Sequence, residues 1–360
     1  MRGSDDRAPN SARLRVGLIG LGYWGPNYAR VLSELPGVEL VAACDLSESA
    51  VSAIEARYPT VRTGHDPRAV LESDDVEAVI VATPTSTHYA LTLAALEAGK
   101  HVLCEKPLAY TVAECDELIA AAKSAGRVLF VGHTFIFNPA VRQMRELVTA
   151  GDLGRVLYCH TVRTALGPIR QDVNALWDLA PHDLSIIFYL LDREPISVAA
   201  TGQAFLRDGI EDVAFLQLRF EDGTLAAAHL SWLDPYKVRK VTVVGDQRMV
   251  VFDDVAIDEK LKVFDRGASY EAVSEAARGA EFGEFKALIR DGEIRVPKVL
   301  AAEPLKEQVA HFVDCCAAGA TPETDGLAGR RVVAVLEAAT ESLRAGGGPV
   351  EVNLARAAYS

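Results

Sequence analysis

Nowhere in the 360 residues does an uninterrupted apolar run approach the roughly 20 needed to cross a bilayer as a helix. The opening stretch, Met1 to Arg13, is polar where a secretory leader needs an apolar core, so the chain reads as a cytoplasmic protein with no membrane partner. Positive charge is also scarce: 37 Lys and Arg stand against 50 Asp and Glu, a formal net charge of −13. No basic block offsets that balance, which argues against a nucleic-acid partner. The six cysteines (Cys44, Cys104, Cys115, Cys159, Cys315, Cys316) form no CxxC pair. They read as reduced thiols, and no metal site is expected. Internal repeats and low-complexity segments are absent too. What is present is 49% hydrophobic and 24% charged residues over 38.7 kDa, enough for a sizeable core in two domains. Disorder, collagen and disulfide-stapled miniproteins are excluded by the same figures.

Residues 1–13 carry charge, Pro and Ser without periodicity and read as a disordered tail. From Leu14 short apolar runs (LRVGLIG, VELVAAC, EAVIVAT, HVLCE, RVLFVGH) alternate with helical stretches such as His88–Ala98 and Thr111–Ala125, the latter opening on a Thr-Val-Ala-Glu capping box. That alternation predicts an α/β domain over 14–135, a doubly wound parallel sheet. Beyond a helix at Asn138–Ala150 the pattern changes to strands in quick succession (VLYCHTVRT, ISVAATGQAF, DVAFLQLRF, TLAAAHLSWL, VRKVTVVG, RMVVFDD, KLKVFD) with turn signals between them. Residues 136–360 are therefore expected to form an α+β domain: an open, mostly antiparallel sheet with helices on one face, ending in two helices over 303–345. A sheet face rich in Val, Leu and Ala, left uncovered, would be buried by a second copy, giving a homodimer or homotetramer.

The first strand runs into Gly20-Leu21-Gly22-Tyr23-Trp24-Gly25, a GxGxxG at the turn into a helix, and a second strand ends at Asp45, about 20 residues on. Strand, glycines, helix and acid together point to a dinucleotide. Gly20 suits the tight turn, Gly22 the approach of the backbone to a pyrophosphate, and Gly25 close helix packing; the helix N-terminus favours phosphate. Asp45 suits ribose hydroxyls and would repel a 2′-phosphate. The following Leu46, Ser47 and Glu48 supply no arginine, so NAD is preferred over NADP; the bland alternative for Asp45 is a helix N-cap. Further candidate cofactor contacts are Tyr23 and Trp24 in the turn, Thr83, Pro84, Thr85 and His88 at the end of another strand, and Glu105 and Lys106 after the next, all at the carboxyl edge where doubly wound sheets bind ligands. Three of them have a plainer reading: Thr85 as a helix cap, His88 as a first-turn surface residue, Lys106 as a solvated loop lysine.

GLGYWG, the acidic Asp45, ATPTSTH and Glu105-Lys106-Pro107, in that order ahead of a sheet domain, resemble the Gfo/Idh/MocA oxidoreductases (glucose-fructose oxidoreductase, inositol dehydrogenase and rhizopine catabolism proteins). The resemblance runs from Leu14 to about Val352. It implies that Lys106 sits at the nicotinamide and that an Asp-x-x-x-His pair, here Asp178 and His182 in Trp177–Asp183, completes the catalytic site. The pair is expected to open a helix with Pro181 in its first turn, so that the spacing of four puts both side chains on one side. Histidine is suited by its ordinary pKa of ~6.5 to take a proton from an alcohol, with Lys106 stabilising the oxygen and Asp178 supporting both. Without the upstream motifs Asp178 would read as an N-cap and His182 as a buried helix residue.

The implied activity is NAD(H)-dependent hydride transfer at a sugar ring carbon. Asn138-Pro139-Ala140-Val141, Arg163, Arg170, Asn174 and Trp177 further resemble the branch acting on nucleotide-linked hexoses at C3, such as UDP-N-acetylglucosamine. Arg163 and Arg170 are the candidates for a diphosphate, with solvated edge or loop arginines as the alternative. Free sugar or inositol dehydrogenase is the second reading. NAD-dependent glycosidase and non-catalytic dinucleotide-binding regulator are the readings from other classes; a regulator would be expected to have lost Lys106 or His182.

Overall fold

The computed structural model describes residues 13–270 and 287–354. The tail expected over 1–13 lies, Arg13 apart, outside the described residues, as do the last six of the second domain. The chain divides into two compact units, one of 1–134 with 303–333 and one of 135–302 with 334–360.

In the first unit six strands, β1 (Leu14–Ile19), β2 (Val38–Cys44), β3 (Arg62–Gly64), β4 (Ala78–Val81), β5 (His101–Glu105) and β6 (Leu129–Gly132), pair in parallel in the order β3-β2-β1-β4-β5-β6. The order reverses between β1 and β4, so their carboxyl ends part there and leave a crevice of the kind that takes ligands. Both faces are covered, which is why β4 reads Ala-Val-Ile-Val and is buried throughout. The covering helices are α1 (Gly25–Glu34), α2 (Glu48–Arg57), α3 (Arg68–Leu71), α4 (His88–Glu97) and α5 (Val112–Ala125). The expected capping box is present at α5: Glu114 N–H donates to the Thr111 hydroxyl, and the Glu114 carboxylate accepts from Thr111 N–H.

Among its described residues the second unit holds α6 (Pro139–Thr149), α7 (Ala175–Leu191) and nine strands: β7 (Val156–Leu166), β8 (Pro195–Gln203), β9 (Val213–Phe220), β10 (Leu225–Ser231), β11 (Leu233–Gly245), β12 (Met249–Asp253), β13 (Leu261–Tyr270), β14 (Ala287–Arg295) and β15 (Val350–Glu351). Their order is β14-β13-β12-β11-β7-β10-β9-β8-β15, antiparallel except where β10 lies parallel to β7. Helix α7 covers one face. Alternation assigns that side the small and aliphatic residues, Leu216, Leu218, Ala226, Ala228 and Leu230, all buried. The open side was expected to be rich in Val, Leu and Ala; Val162, Leu225 and Ala227 lie on it, among Tyr158, His160, Phe215, Gln217, Arg219 and His229. Two ring stacks lie on it, Phe215 on His229 at 4.5 Å and Tyr158 on His160 at 6.1 Å.

The C-terminal helices correct the expected partition. Helix α8 (Pro304–Ala318) and the first turns of α9 (Gly326–Arg344) belong to the first unit, and the rest of α9 to the second, whereas the sequence reading put 303–345 wholly in the second. Arg330 on α9 grips Asp116 on α5 by Nε at 2.6 Å and Nη2 at 3.2 Å, and Arg30 on α1 pairs with Glu303. Among the described residues no helix is long and apolar enough to cross a membrane.

Candidate active site

At the first turn the three glycines answer three different demands. Gly20 has φ +97°, and a Cβ there would stand 2.6 Å from the Ala82 backbone. A Cβ on Gly25 would meet the Gly20 carbonyl oxygen at 2.4 Å, so only glycine lets α1 start this close to the turn. At Gly22 a Cβ would meet nothing within 4 Å, so the space beside it is open. Helix α1 begins behind Trp24 without a side-chain cap; Pro26 has no N–H and the Asn27 and Tyr28 N–H groups donate to the Trp24 carbonyl, each at 3.0 Å, so what the turn offers an anion is the positive dipole end. Tyr23 is 85% exposed beside this turn, its ring edge-on to Trp24 at 5.6 Å.

Asp45 follows the last residue of β2. Its Oδ2 accepts from Leu21 N–H at 2.6 Å and its Oδ1 from Ser47 N–H at 2.8 Å. The N-cap of α2 is Ser47, which removes the bland reading of Asp45. Each carboxylate oxygen has a further lone pair, so a carboxylate fixed to the glycine turn can still accept from a ribose diol. This pocket of backbone, open space and acid fits a dinucleotide.

Other expected contacts hold the edge together. Thr87 donates its hydroxyl to Thr83 Oγ1 at 2.7 Å, and Thr85 follows Pro84 as a buried residue of a short 3-10 turn. His88 is buried, with Nδ1 2.7 Å from the Pro107 carbonyl and Nε2 2.9 Å from the Thr83 carbonyl. It brackets the β4 and β5 edge loops rather than lying on the surface. Glu105 is also inside: its carboxylate accepts from the Tyr28 hydroxyl at 2.6 Å and from Lys106 N–H at 3.2 Å. Burial raises its pKa from the usual carboxylate range, against the opposing pull of the Tyr28 bond and the Lys106 charge. Sequence reasoning missed the rest of this network. Gln308 of α8 donates to the Tyr28 oxygen at 3.0 Å and accepts from the Thr134 hydroxyl at 2.8 Å. His133, just past β6, is buried and held neutral, its pKa pushed down to about 3 by burial and then by the Lys106 charge.

In the second unit Asp178 and His182 lie one turn apart on α7. The helix begins earlier than expected: Asn174 is its N-cap, accepting from Trp177 N–H at 3.0 Å, so Pro181 falls inside the helix instead of in its first turn. The reading of Asp178 as an N-cap falls with it. Asp178 Oδ1 accepts from Arg170 at 3.2 Å and Oδ2 from the Trp232 indole N–H at 3.2 Å. His182 is half-buried and its ring stands at 72° to Phe135, centroids 5.2 Å apart.

The four residues expected to hold a substrate are engaged within the unit. Arg163 is the clear correction: β7 is a central strand, and the guanidinium, on its helix-covered face, binds Asp183 through Nε at 2.9 Å and Nη2 at 3.1 Å. It is neither a solvated edge residue nor presented to a diphosphate. Burial raises the Asp183 pKa, and the Arg163 charge and hydrogen bonds pull it back. Arg170 binds Asp172 at 2.6 and 2.9 Å besides Asp178, and Asp172 is the main cause of its raised pKa. Asn174 donates to Glu211 at 2.5 Å, and the Trp177 indole N–H to Thr340 at 3.0 Å. Strand parity was the available signal for Arg163: it shares the phase of Cys159 and Thr161, both buried.

Residues 14–133 match the profile of an oxidoreductase family with an NAD-binding Rossmann fold, and residues 141–251 match the GFO/IDH/MocA C-terminal domain. The chain is 30% identical over 252 residues to myo-inositol 2-dehydrogenase of Thermotoga maritima, covering 66% of this chain and 72% of that one. It is 32% identical over 219 residues to inositol 2-dehydrogenase 2 of Saccharopolyspora erythraea, covering 59% of this chain and 65% of that one. Among solved structures, UDP-N-acetylglucosamine 3-dehydrogenase of Acidithiobacillus ferrooxidans superposes with a TM-score of 0.77 at 26% identity, over 93% of this chain and 99% of that one.

Proposed function

Because the chain belongs to the Gfo/Idh/MocA oxidoreductase family, with the family's NAD-binding Rossmann domain over residues 14–133, we propose that it is an NAD(H)-dependent dehydrogenase of a ring hydroxyl on a sugar or cyclitol. The observation that carries the reading is the pair on α7. Asp178 is anchored by Arg170 and Trp232, and His182 follows one turn later. Bound NAD supplies the hydride acceptor for the carbinol C–H. The α1 N-terminus and the space at Gly22 hold the pyrophosphate, and Asp45 takes ribose hydroxyls. His182 takes the hydroxyl proton, or returns it in the reverse direction. Lys106 as a cation stabilises the charge that develops on that oxygen, and Asp178 accepts from a neighbouring hydroxyl and holds the ring in place. Incubation with NAD and a panel of sugars, inositols and nucleotide hexoses, followed by cofactor absorbance, tests this. Release of an aglycone with no net NAD reduction would replace it by the glycosidase reading.

For the substrate, two observations pull apart. The likeness to the Acidithiobacillus UDP-N-acetylglucosamine 3-dehydrogenase favours oxidation of C3 on a nucleotide-linked hexose. The burial of Arg163 against Asp183, and the names of the inositol-dehydrogenase relatives, favour a free sugar or inositol. A nucleotide hexose would have to draw on Arg170, already shared between Asp172 and Asp178. Side-by-side kcat/KM values for UDP-N-acetylglucosamine and myo-inositol decide the matter, with Arg170→Ala expected to cost the nucleotide sugar more than myo-inositol, since loss of the Asp178 anchor weakens both.

The open sheet face, with Phe215 48% and Tyr158 43% exposed, supports burial against a second copy in a dimer or tetramer. The free thiols support a reducing compartment such as the cytoplasm.

A further inference from the structure

Three side chains form a closed circuit with His182. His182 rests against the Phe135 ring at 5.2 Å and 72°. Over the same ring stands the Arg163 guanidinium, 4.5 Å from the centroid, with that of Arg239 at 5.9 Å. Arg163 in turn grips Asp183 with two hydrogen bonds, and Asp183 is joined to His182 by a peptide bond. Arg163 is 6% exposed and Asp183 1%, so the ion pair sits away from water.

We propose that Phe135, Arg163 and Asp183 are positioning residues that fix the His182 imidazole. The proposal rests on the reading of His182 as the proton acceptor. The physical case has three parts. An imidazole turns about two soft torsions, and proton transfer tolerates little displacement, so something must hold the ring. A phenyl ring attracts a guanidinium to its face, and a desolvated guanidinium is held there more tightly than an exposed one. Asp183 neutralises Arg163, so the cation that pins Phe135 adds no uncompensated charge beside the imidazole. The bidentate fork also fixes the start of the α7 turn on which His182 stands, so backbone and ring are set by one ion pair.

The test replaces Phe135 with 4-fluoro-, 3,5-difluoro- and 3,4,5-trifluorophenylalanine, which nearly conserve shape while draining the π face, and with Leu and Tyr. Two readouts are followed: kcat and KM for the sugar that the wild-type protein oxidises, and the imidazole NMR signals of His182, assigned by their loss in His182→Gln. The expected result is a kcat that falls stepwise with fluorination, about tenfold or more in Phe135→Leu and little in Phe135→Tyr, at unchanged NAD affinity. The His182 signals should move in the same order. Arg163→Met paired with Asp183→Asn should match Phe135→Leu. If Phe135→Leu does not fold, the fluorinated series still decides. His182 signals and kcat that stay put across that series overturn the proposal. Signals that move in order, in a protein that oxidises no sugar, uphold the frame and overturn the reading of His182 as catalytic base.

Discussion

Replacing Tyr28 by Phe removes one oxygen from the buried centre of the first unit and leaves the ring in place. That oxygen donates to Glu105 at 2.6 Å and accepts from Gln308 at 3.0 Å, with Tyr28 and Gln308 both fully buried. A hydrogen bond to a charged group contributes about 1.5–3 kcal/mol, a neutral one about 1, and the amide and carboxylate left behind find no water, so a loss of about 3 kcal/mol is expected. For a cooperative unit of this size that lowers Tm by roughly 6–12 °C. The effect should depend on pH. Glu105 has a folded pKa above its unfolded value, so its contribution to stability is fully present below the unfolded pKa and is lost as pH rises through the folded one. Tyr28 limits that loss by stabilising the carboxylate, so the penalty of Tyr28→Phe should be largest above the folded pKa of Glu105 and shrink where Glu105 is protonated. Calorimetry across a pH series from acid to alkaline reads the penalty and its slope. A Tm within 2 °C of wild type throughout the series, or a penalty that grows in acid, would refute the buried network.

Further outcomes follow from the same geometry. His182→Ala and Lys106→Ala should each cut turnover by ~100-fold or more while NAD affinity by fluorescence titration stays within a factor of two; near-normal turnover in either removes that residue from the mechanism. NAD should bind more tightly than NADP, and Asp45→Ser with Leu46→Arg should narrow or invert the ratio, since Leu46 is 89% exposed beside the acid; equal affinities in the unmodified protein would mean that Asp45 does not meet the ribose. Gly25→Ala, whose Cβ would lie 2.4 Å from the Gly20 oxygen, should weaken NAD binding about tenfold or more, read by the same titration. If the open sheet face is the proposed interface between copies, light scattering at micromolar concentration should find the wild-type protein as a dimer or tetramer and Phe215→Glu with Tyr158→Glu as a monomer; a wild-type monomer would defeat the assembly.

The parallel sheet and the glycine turn were legible because each is written locally, whereas the Asp178/His182 pair was singled out by the family resemblance, its spacing of four saying only that both stand one turn apart on a helix. A strand period and a loop of three glycines need no knowledge of distant chain. Arg163 was misread because a charged side chain signals solvent until its partner is known, and Asp183 lies 20 residues away on another element. Parity outvoted charge. The start of α7 was misplaced because a proline usually marks a first turn, while Asn174, a stronger cap, stood seven residues earlier. β14 escaped notice since its sequence, ALIRDGEIR, carries a turn-like Asp-Gly at its centre. Gln308 and Tyr28 could not be paired from a chain separation of 280.

That separation bears on how the protein comes off the ribosome. The first unit's six strands are complete once Gly132 has emerged, yet Tyr28 and Glu105 lack their third partner, and Asp116 its arginine, until α8 and the start of α9 arrive some 200 residues later. At about 5–20 residues per second the nascent sheet waits roughly 10–40 s with polar groups bared that the finished protein buries. Through that interval the dinucleotide unit is a provisional structure, exposed to chaperones and proteases. A ribosome stalled near residue 300 would hold it there, which makes the late helices the latch that turns a nascent sheet into a durable one.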